Sequence, residues 1–195
     1  MTDRRKVYLA LGDSMSIDEY TGVIGGGAVR QFHECLGQDW ILLDRTCDGC
    51  TIAEVPTGEA ADLITLTIGG NDALAVADIR ATEADIAKVV RAHRALLLEI
   101  RKSNPLSLLI VGNIYRPDSP LPENLLHLLR RLNRGIEQNV RECGGALADI
   151  SGAFDGHESE YLCRVIEPNL KGAAVIAGLF RQAYESWAEA RDGSQ

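Results

Sequence analysis

The sequence predicts an α/β fold with three layers: a five-stranded parallel sheet in the flavodoxin-like order 2-1-3-4-5, with helices on both faces. Two observations lead to this prediction. Short β-rich runs alternate five times with longer helical patterns, which is typical of a parallel sheet with crossover helices. The chain has 195 residues, the size of one domain, and we therefore expect a single domain over residues 1–195.

Five short apolar runs account for the strands. They are rich in leucine and β-branched residues and are bounded by glycine, proline or polar positions, the pattern of buried strands. None approaches the ~18 residues of a membrane span, and we expect no membrane partner. The predicted strands are Val7–Leu11, Trp40–Asp44, Leu63–Ile68, Leu106–Val111 and Ala146–Asp149.

The segments between these strands carry the helices. The clearest pattern covers residues 82–102, where apolar positions recur at 3–4 spacing until Asn104 and Pro105 end the helix. A proline-rich loop spans residues 116–122, and an irregular stretch is expected from 150 to 169. The predicted helices cover about residues 25–36, 82–102, 123–143 and 170–190.

Composition argues against several classes of partner. Twenty Lys and Arg against 28 Asp and Glu give a net charge of −8, which repels a phosphate backbone, so we expect no nucleic-acid binding. The five cysteines are an odd number without an export signal, which favours reduced thiols and a cytoplasmic location. Cys47 and Cys50 have redox-motif spacing, but we interpret them as small buried thiols. Neither a metal nor another cofactor is expected.

Three loops that follow the first three strands carry the residues of chemical interest. They contain Ser14, Gly49 and Asn71. In the order 2-1-3 these strands are neighbours spaced ~4.8 Å apart, so their carboxyl-end loops converge. A hydroxyl nucleophile with nearby hydrogen-bond donors is what acyl transfer requires. The alternative is structural, with a turn glycine, a helix N-cap at Ser14 and a cap at Asn71.

These motifs resemble the signature blocks of the SGNH (GDSL) hydrolases, which are esterases and lipases of this size and fold. The blocks are Gly12-Asp13-Ser14, Asp48-Gly49-Cys50-Thr51 and Gly69-Gly70-Asn71-Asp72, in order after three successive strands. The resemblance implies that Ser14 is the nucleophile and that the Ser14 N–H, the Gly49 N–H and the Asn71 carboxamide hold the oxyanion. It extends from the first strand to the last helix.

The fourth block departs from the family pattern. An Asp-x-x-His-Pro is expected before the last helix, whereas this chain has Arg164 at the Asp position and Glu167 at the His position, followed by Pro168. A carboxylate with an ordinary pKa near ~4.3 is a poor base for a serine hydroxyl unless burial raises its pKa. Arg164 has two interpretations: it keeps Glu167 ionised, or it presents a cation to an anionic substrate.

A substitute base is sought among the four histidines. His157 follows the fifth strand at the active edge, and we hypothesise a Ser14–His157–Glu167 triad in which His157 is the base and Glu167 orients it. The alternative is that His157 caps a surface turn. The remaining histidines are expected to lie elsewhere: at the far side, in the core, and toward the sheet or solvent (His33, His93 and His127).

Three functions follow from the sequence in descending order of support. The first is a serine esterase or acylhydrolase that cleaves a small-molecule carboxylic ester through an acyl-Ser14 intermediate. The second is an SGNH-fold protein without a working base that binds acyl or acetyl groups without turnover. The third is a flavodoxin-like regulatory module without acyl chemistry.

Overall fold

The computed structural model describes residues 5–77 and 80–192. Its centre is a five-stranded parallel sheet in the order β2-β1-β3-β4-β5, which confirms the predicted fold class and topology. The strands of this sheet are β1 Lys6–Gly12, β2 Trp40–Thr46, β3 Leu63–Thr67, β4 Leu108–Gly112 and β5 Ala146–Ala148.

Helices surround the sheet, and two of the larger contacts between them pair α1 with α7 and α3 with α4. Every residue of β3 and β4 is buried, as expected for central strands of a parallel sheet covered on both faces. The helices are α1 Ala28–Leu36, α2 Gly70–Val76, α3 Glu83–Ser103, α4 Glu123–Glu142, α5 Ile150–Phe154, α6 Glu158–Tyr161 and α7 Leu170–Asp192.

The first helix begins later than predicted because a carboxylate binds the glycine-rich segment before it. Asp18 accepts hydrogen bonds from the N–H groups of Gly25 and Gly27, both at 2.8 Å. This loop therefore has its own fixed conformation, and α1 starts only at Ala28. The fourth strand also begins two residues late, because Leu106 is 86% exposed.

The segment predicted to be irregular contains regular structure. After α5 and α6, a two-residue antiparallel hairpin forms between β6 Leu162–Cys163 and β7 Glu167–Pro168. The predicted loop after β3 is the short helix α2. Both additions lie at the carboxyl edge of the sheet, where they shape the site described below.

Candidate active site

Ser14 lies in the tight turn that follows β1. Gly12 ends the strand with φ 134°, and a Cβ there would overlap the carbonyl oxygen of Thr67, so the close approach of β1 to β3 requires glycine. The Asp13 N–H donates to that carbonyl at 2.8 Å, and Asp13 Oδ1 accepts from the Met15 N–H at 3.1 Å. These contacts fix the turn on both sides of Ser14.

The loop that carries Gly49 is joined to the start of α2, which carries Asn71. Asn71 Nδ2 donates to the carbonyl oxygen of Cys50 at 2.9 Å, directly after Gly49, whose φ of 70° suits a glycine. A carboxamide nitrogen has two hydrogens, so Asn71 retains one for a ligand. Within residues 5–77 and 80–192, the N–H groups of Ser14 and Gly49 have no hydrogen-bond acceptor. Each of these three donors therefore has a hydrogen that is not used within the described residues.

The β6–β7 hairpin brings Glu167 to Ser14. The Glu167 residue is only 8% exposed, and its Oε2 has no hydrogen-bond partner among the described residues. Burial raises the pKa of this carboxyl above its ordinary value, although the adjacent Ser14 hydroxyl lowers that pKa as a hydrogen-bond donor. The negative charge of Asp48 raises it further. A buried carboxyl with a raised pKa thus stands next to the serine hydroxyl.

A second buried carboxyl lies on the other side of Ser14 in the chain. Asp13 is 2% exposed, and burial raises its pKa from 3.8 to about 8, against the opposing effect of the Met15 N–H bond. The nearby negative charge of Glu167 contributes to this rise. Asp13 is therefore mostly protonated near neutral pH.

His157 is not part of this group, which corrects the expectation that an imidazole stands between Ser14 and Glu167. Its side chain is 55% exposed, its Nδ1 lies 3.5 Å from Glu160 Oε2, and its ring stacks on Tyr161 with centroids 5.3 Å apart. The physical reason is that residues after β5 form α5 and α6, and His157 is the residue before α6. The structure brings Ser14 and Glu167 together and leaves His157 at the surface.

The other histidines also make contacts away from Ser14. His33 Nε2 lies 3.1 Å from the Trp40 carbonyl oxygen, and His127 Nε2 lies 2.9 Å from Glu83 Oε1. His93 is buried between α3 and α4, where burial lowers its pKa to about 4 and keeps the ring neutral. None of these rings lines the cleft that holds Ser14.

An apolar cleft of about 130 Å³ opens beside Ser14 and Asn71. Four leucines on one face of α4, together with side chains of α2, α3 and the segment after β4, form its walls. Leu74 at this cleft is 52% exposed. The α4 leucines are Leu125, Leu128, Leu129 and Leu132. A cleft of this chemistry suits a hydrocarbon group, and among the described residues that line it the charged side chain is Asp13, at the serine end.

The cysteine pair differs in part from the expectation. Cys50 is buried, as predicted, but Cys47 is exposed. Both thiols are free, and burial, followed by the contact with Cys47, raises the pKa of Cys50 to about 12. Over the described ranges, no cluster of three or more His, Cys, Asp or Glu side chains could hold a metal ion, and no helix is long and apolar enough to cross a membrane.

Sequence reasoning missed the contribution of α4 to this cleft and the contact between Tyr20 and Asp48 near Glu167. The sequence did contain a signal for this wall: leucines are concentrated in the first half of α4, and four of them line the cleft. The Tyr20 hydroxyl donates to Asp48 Oδ2 at 2.9 Å. No local pattern indicated that contact, because the two residues are 28 positions apart.

A parallel sheet in this order, with a serine after β1, a glycine loop after β2 and an asparagine after β3, defines the SGNH class of hydrolases. The chain belongs to the GDSL-like lipase/acylhydrolase family, whose model matches residues 10–175. Membership puts the chain in a class of enzymes that hydrolyse esters. No match to this chain was found among curated proteins.

Solved structures share the fold at low sequence identity. The lipase Lip_vut3 from a goat rumen metagenome is 23% identical, with a TM-score of 0.77 over 91% of this chain and 97% of that one. A phospholipase A1 from Streptomyces albidoflavus is 19% identical, with a TM-score of 0.68 over 92% of this chain and 99% of that one. Axe2, an acetylxylan esterase from Geobacillus stearothermophilus, is 17% identical, with a TM-score of 0.70 over 91% of this chain and 93% of that one.

Proposed function

We propose that this protein is a serine esterase that cleaves small-molecule carboxylic esters with an apolar acyl group, through an acyl-Ser14 intermediate and with Glu167 as the general base. The observation that carries the proposal is the buried Glu167 carboxyl next to Ser14, with an oxygen that has no partner within the described residues. A carboxylate oxygen in this position is available to accept the proton of the Ser14 hydroxyl. Its raised pKa makes it a stronger base than an ordinary glutamate.

The first half of the reaction forms the acyl-enzyme. Ser14 Oγ attacks the ester carbonyl carbon while its proton passes to Glu167. The negative charge moves to the carbonyl oxygen, which accepts hydrogen bonds from the Ser14 N–H, the Gly49 N–H and Asn71 Nδ2. When the tetrahedral intermediate collapses, the bond to the alcohol oxygen breaks, and that oxygen takes the proton from Glu167.

The second half releases the acid. Water attacks the acyl carbon and gives a proton to Glu167, and the same three donors hold the new oxyanion. Collapse breaks the bond to Ser14 Oγ, which recovers the proton. The apolar cleft supports a hydrocarbon acyl group, since the described side chains along its walls are mostly leucine, isoleucine, alanine and other apolar residues, which offer a charged acyl group little to pair with.

Hydrolysis of p-nitrophenyl acetate and octanoate tests this function, together with labelling by a fluorophosphonate. We expect turnover of both esters, with a higher kcat/KM for octanoate, and we expect Ser14→Ala to lose turnover and labelling. Glu167→Gln is nearly isosteric and should lower kcat by about 10²–10⁴. Glu160→Gln removes the same charge from the surface near His157, and His157→Ala removes the imidazole; both should retain wild-type turnover.

The pH profile gives a further criterion within the same assay. Because Glu167 must be ionised to accept a proton, kcat/KM should rise with pH, and the midpoint should lie above 4.5, the ordinary pKa of a glutamate. Loss of turnover in His157→Ala would restore the imidazole as base and contradict the assignment. Binding of octanoate without turnover or labelling would instead support a non-catalytic acyl-binding protein.

A further inference from the structure

Arg164 lies at the start of the short loop that ends at Glu167. In the β6–β7 hairpin Cys163 is paired with Glu167, so only residues 164–166 separate the paired positions. Arg164 has φ 47°, a left-handed conformation that non-glycine residues seldom adopt. The chain therefore keeps an uncommon backbone conformation at the position next to its candidate base.

Tyr20 holds the Arg164 side chain in place. The guanidinium carbon lies 5.1 Å from the centre of the Tyr20 ring, within the range of a cation–π interaction. The Tyr20 hydroxyl donates to Asp48 Oδ2 at 2.9 Å, and Cys163 Sγ contacts the Tyr20 carbonyl oxygen at 3.5 Å. Tyr20 thus connects the hairpin that carries the base to the loop that carries Gly49.

The charges around Glu167 are mostly negative. Asp48 and Glu19 raise the pKa of the Glu167 carboxyl, whereas Arg164 lowers it. The titratable and polar groups that interact electrostatically with Glu167 are Asp13 and Ser14 after β1, Glu19 and Tyr20 in the next loop, Asp48 after β2, Tyr115 after β4, and Arg164 in the hairpin. Arg164 is the cation in this set, so its removal leaves the carboxylate among like charges.

We propose that Arg164, held over the Tyr20 ring, is a positioning residue that keeps Glu167 ionised next to Ser14. The inference rests on the proposed function and deepens it, because the chain then carries a carboxylate supported by a guanidinium. Here the base is an acidic side chain and the group that supports it is a cation. The family pattern led us to expect an imidazole base supported by a carboxylate. Binding of an anionic substrate by Arg164 is disfavoured, since Asp48 and Glu19 would repel that anion.

The pH dependence of turnover tests the role of Arg164. Arg164→Met keeps much of the stem and removes the charge, so the rising limb of kcat/KM should move to higher pH. We expect a loss of about tenfold near pH 5 and less than about twofold near pH 9. In Arg164→Lys, which keeps a positive charge, the rising limb of kcat/KM should lie close to its wild-type pH. In Tyr20→Leu it should lie between those of wild type and Arg164→Met. Arg130→Met on the exposed face of α4 is the matched control.

A titration that does not depend on turnover separates this inference from the proposed function. In protein labelled with ¹³C at glutamate carboxyls, the Glu167 resonance is assigned by its loss in Glu167→Gln. Its titration should move to higher pH in Arg164→Met, with or without Ser14→Ala. An unchanged titration, or an equal loss of turnover at every pH, would overturn the role of Arg164. Absence of Ser14-dependent turnover in the wild type would contradict the proposed function. The titration would still show whether Arg164 keeps Glu167 ionised.

Discussion

Two carboxyl groups, Asp13 and Glu167, lie next to Ser14, the proposed nucleophile, and their surroundings differ. Asp13 is fixed by the Met15 N–H and by its own N–H bond to β3, and its high pKa keeps it protonated and neutral. Glu167 lies near the Ser14 hydroxyl and the Arg164 cation, and both oppose the rise in its pKa that burial causes. Separation of pKa values between neighbouring carboxyls is a common way to divide structural and proton-transfer roles.

Asp13 carries a consequence for stability. Its folded-state pKa of about 8 lies above the ordinary 3.8, so the folded chain holds a proton that the unfolded chain releases. The free energy of unfolding should therefore fall as pH rises from about 4 to about 8 and then level off. Asp13→Asn stays neutral and keeps the acceptor for Met15, and we expect it to be more stable than wild type by about 2 kcal/mol or more near pH 9.

Urea unfolding of Asp13→Asn and wild type at several pH values measures this difference. The gap should narrow toward about pH 4 and close at lower pH, where the wild-type carboxyl is protonated in both the folded and the unfolded state. Asp39→Asn, an exposed aspartate in the turn before β2, serves as the control and should show no such pH-dependent gain. A gap of constant size across the pH range would mean that Asp13 is ionised in the folded protein.

Residues at strand ends could be predicted from the sequence, whereas side-chain directions could not. Ser14, Gly49 and Asn71 each follow a strand directly, so the topology alone brings their loops to one edge. His157 lies nine residues beyond β5, and its direction depends on two short helices that no periodicity indicated. The hypothesis that His157 is the base therefore depended on the course of the chain after β5, which no local sequence pattern indicated.

At the scale of elements, the long amphipathic helices and central strands were predictable and the short insertions were not. α3 and α4 have enough turns for an apolar stripe to appear, and β3 and β4 are unbroken apolar runs. The β6–β7 hairpin has two residues in each strand, too few for an alternation to be recognised. Its shape is determined by tertiary contacts, such as the Asp118 N–H bond to the Val165 carbonyl oxygen at 2.8 Å.

Val165 makes this hairpin a source of strain. It has φ 74° although it is β-branched, and its side chain is 48% exposed, so little packing offsets the unfavourable backbone conformation. Val165→Gly should relieve that strain and raise the free energy of unfolding by about 1 kcal/mol. Val165→Ala retains a Cβ and should gain less, which makes it the matched control in thermal and denaturant unfolding. Destabilisation of both variants to the same degree would contradict this account.

At the scale of the whole molecule, the sheet order explains how distant segments form one site. With β1 between β2 and β3, the turn after β1 lies beside the loops that follow its two neighbours. The returning chain then adds Glu167 from a hairpin just before α7. On the proposed function, the scaffold fixes where the base stands without fixing which residue occupies that position, so that a glutamate and an arginine take the places of an imidazole and its partner.

Restoring the expected pair tests that view of the scaffold. In Arg164→Asp/Glu167→His, an aspartate suits the left-handed φ at position 164, and an imidazole would stand next to Ser14 with a carboxylate to support it. We expect kcat/KM near pH 7 to exceed the wild-type value by about tenfold or more, with a rising limb near the ordinary imidazole pKa of ~6.5.

The two single variants should behave differently from the double variant. Arg164→Asp places a second negative charge near Glu167 and should lower activity, while Glu167→His leaves the imidazole beside a guanidinium that opposes its protonation. The double-mutant cycle should therefore show strong positive coupling between positions 164 and 167, measured as kcat/KM for p-nitrophenyl octanoate. If the double variant folds, with an unfolding midpoint near that of wild type, yet its activity equals the product of the single effects, the two positions do not act as a pair.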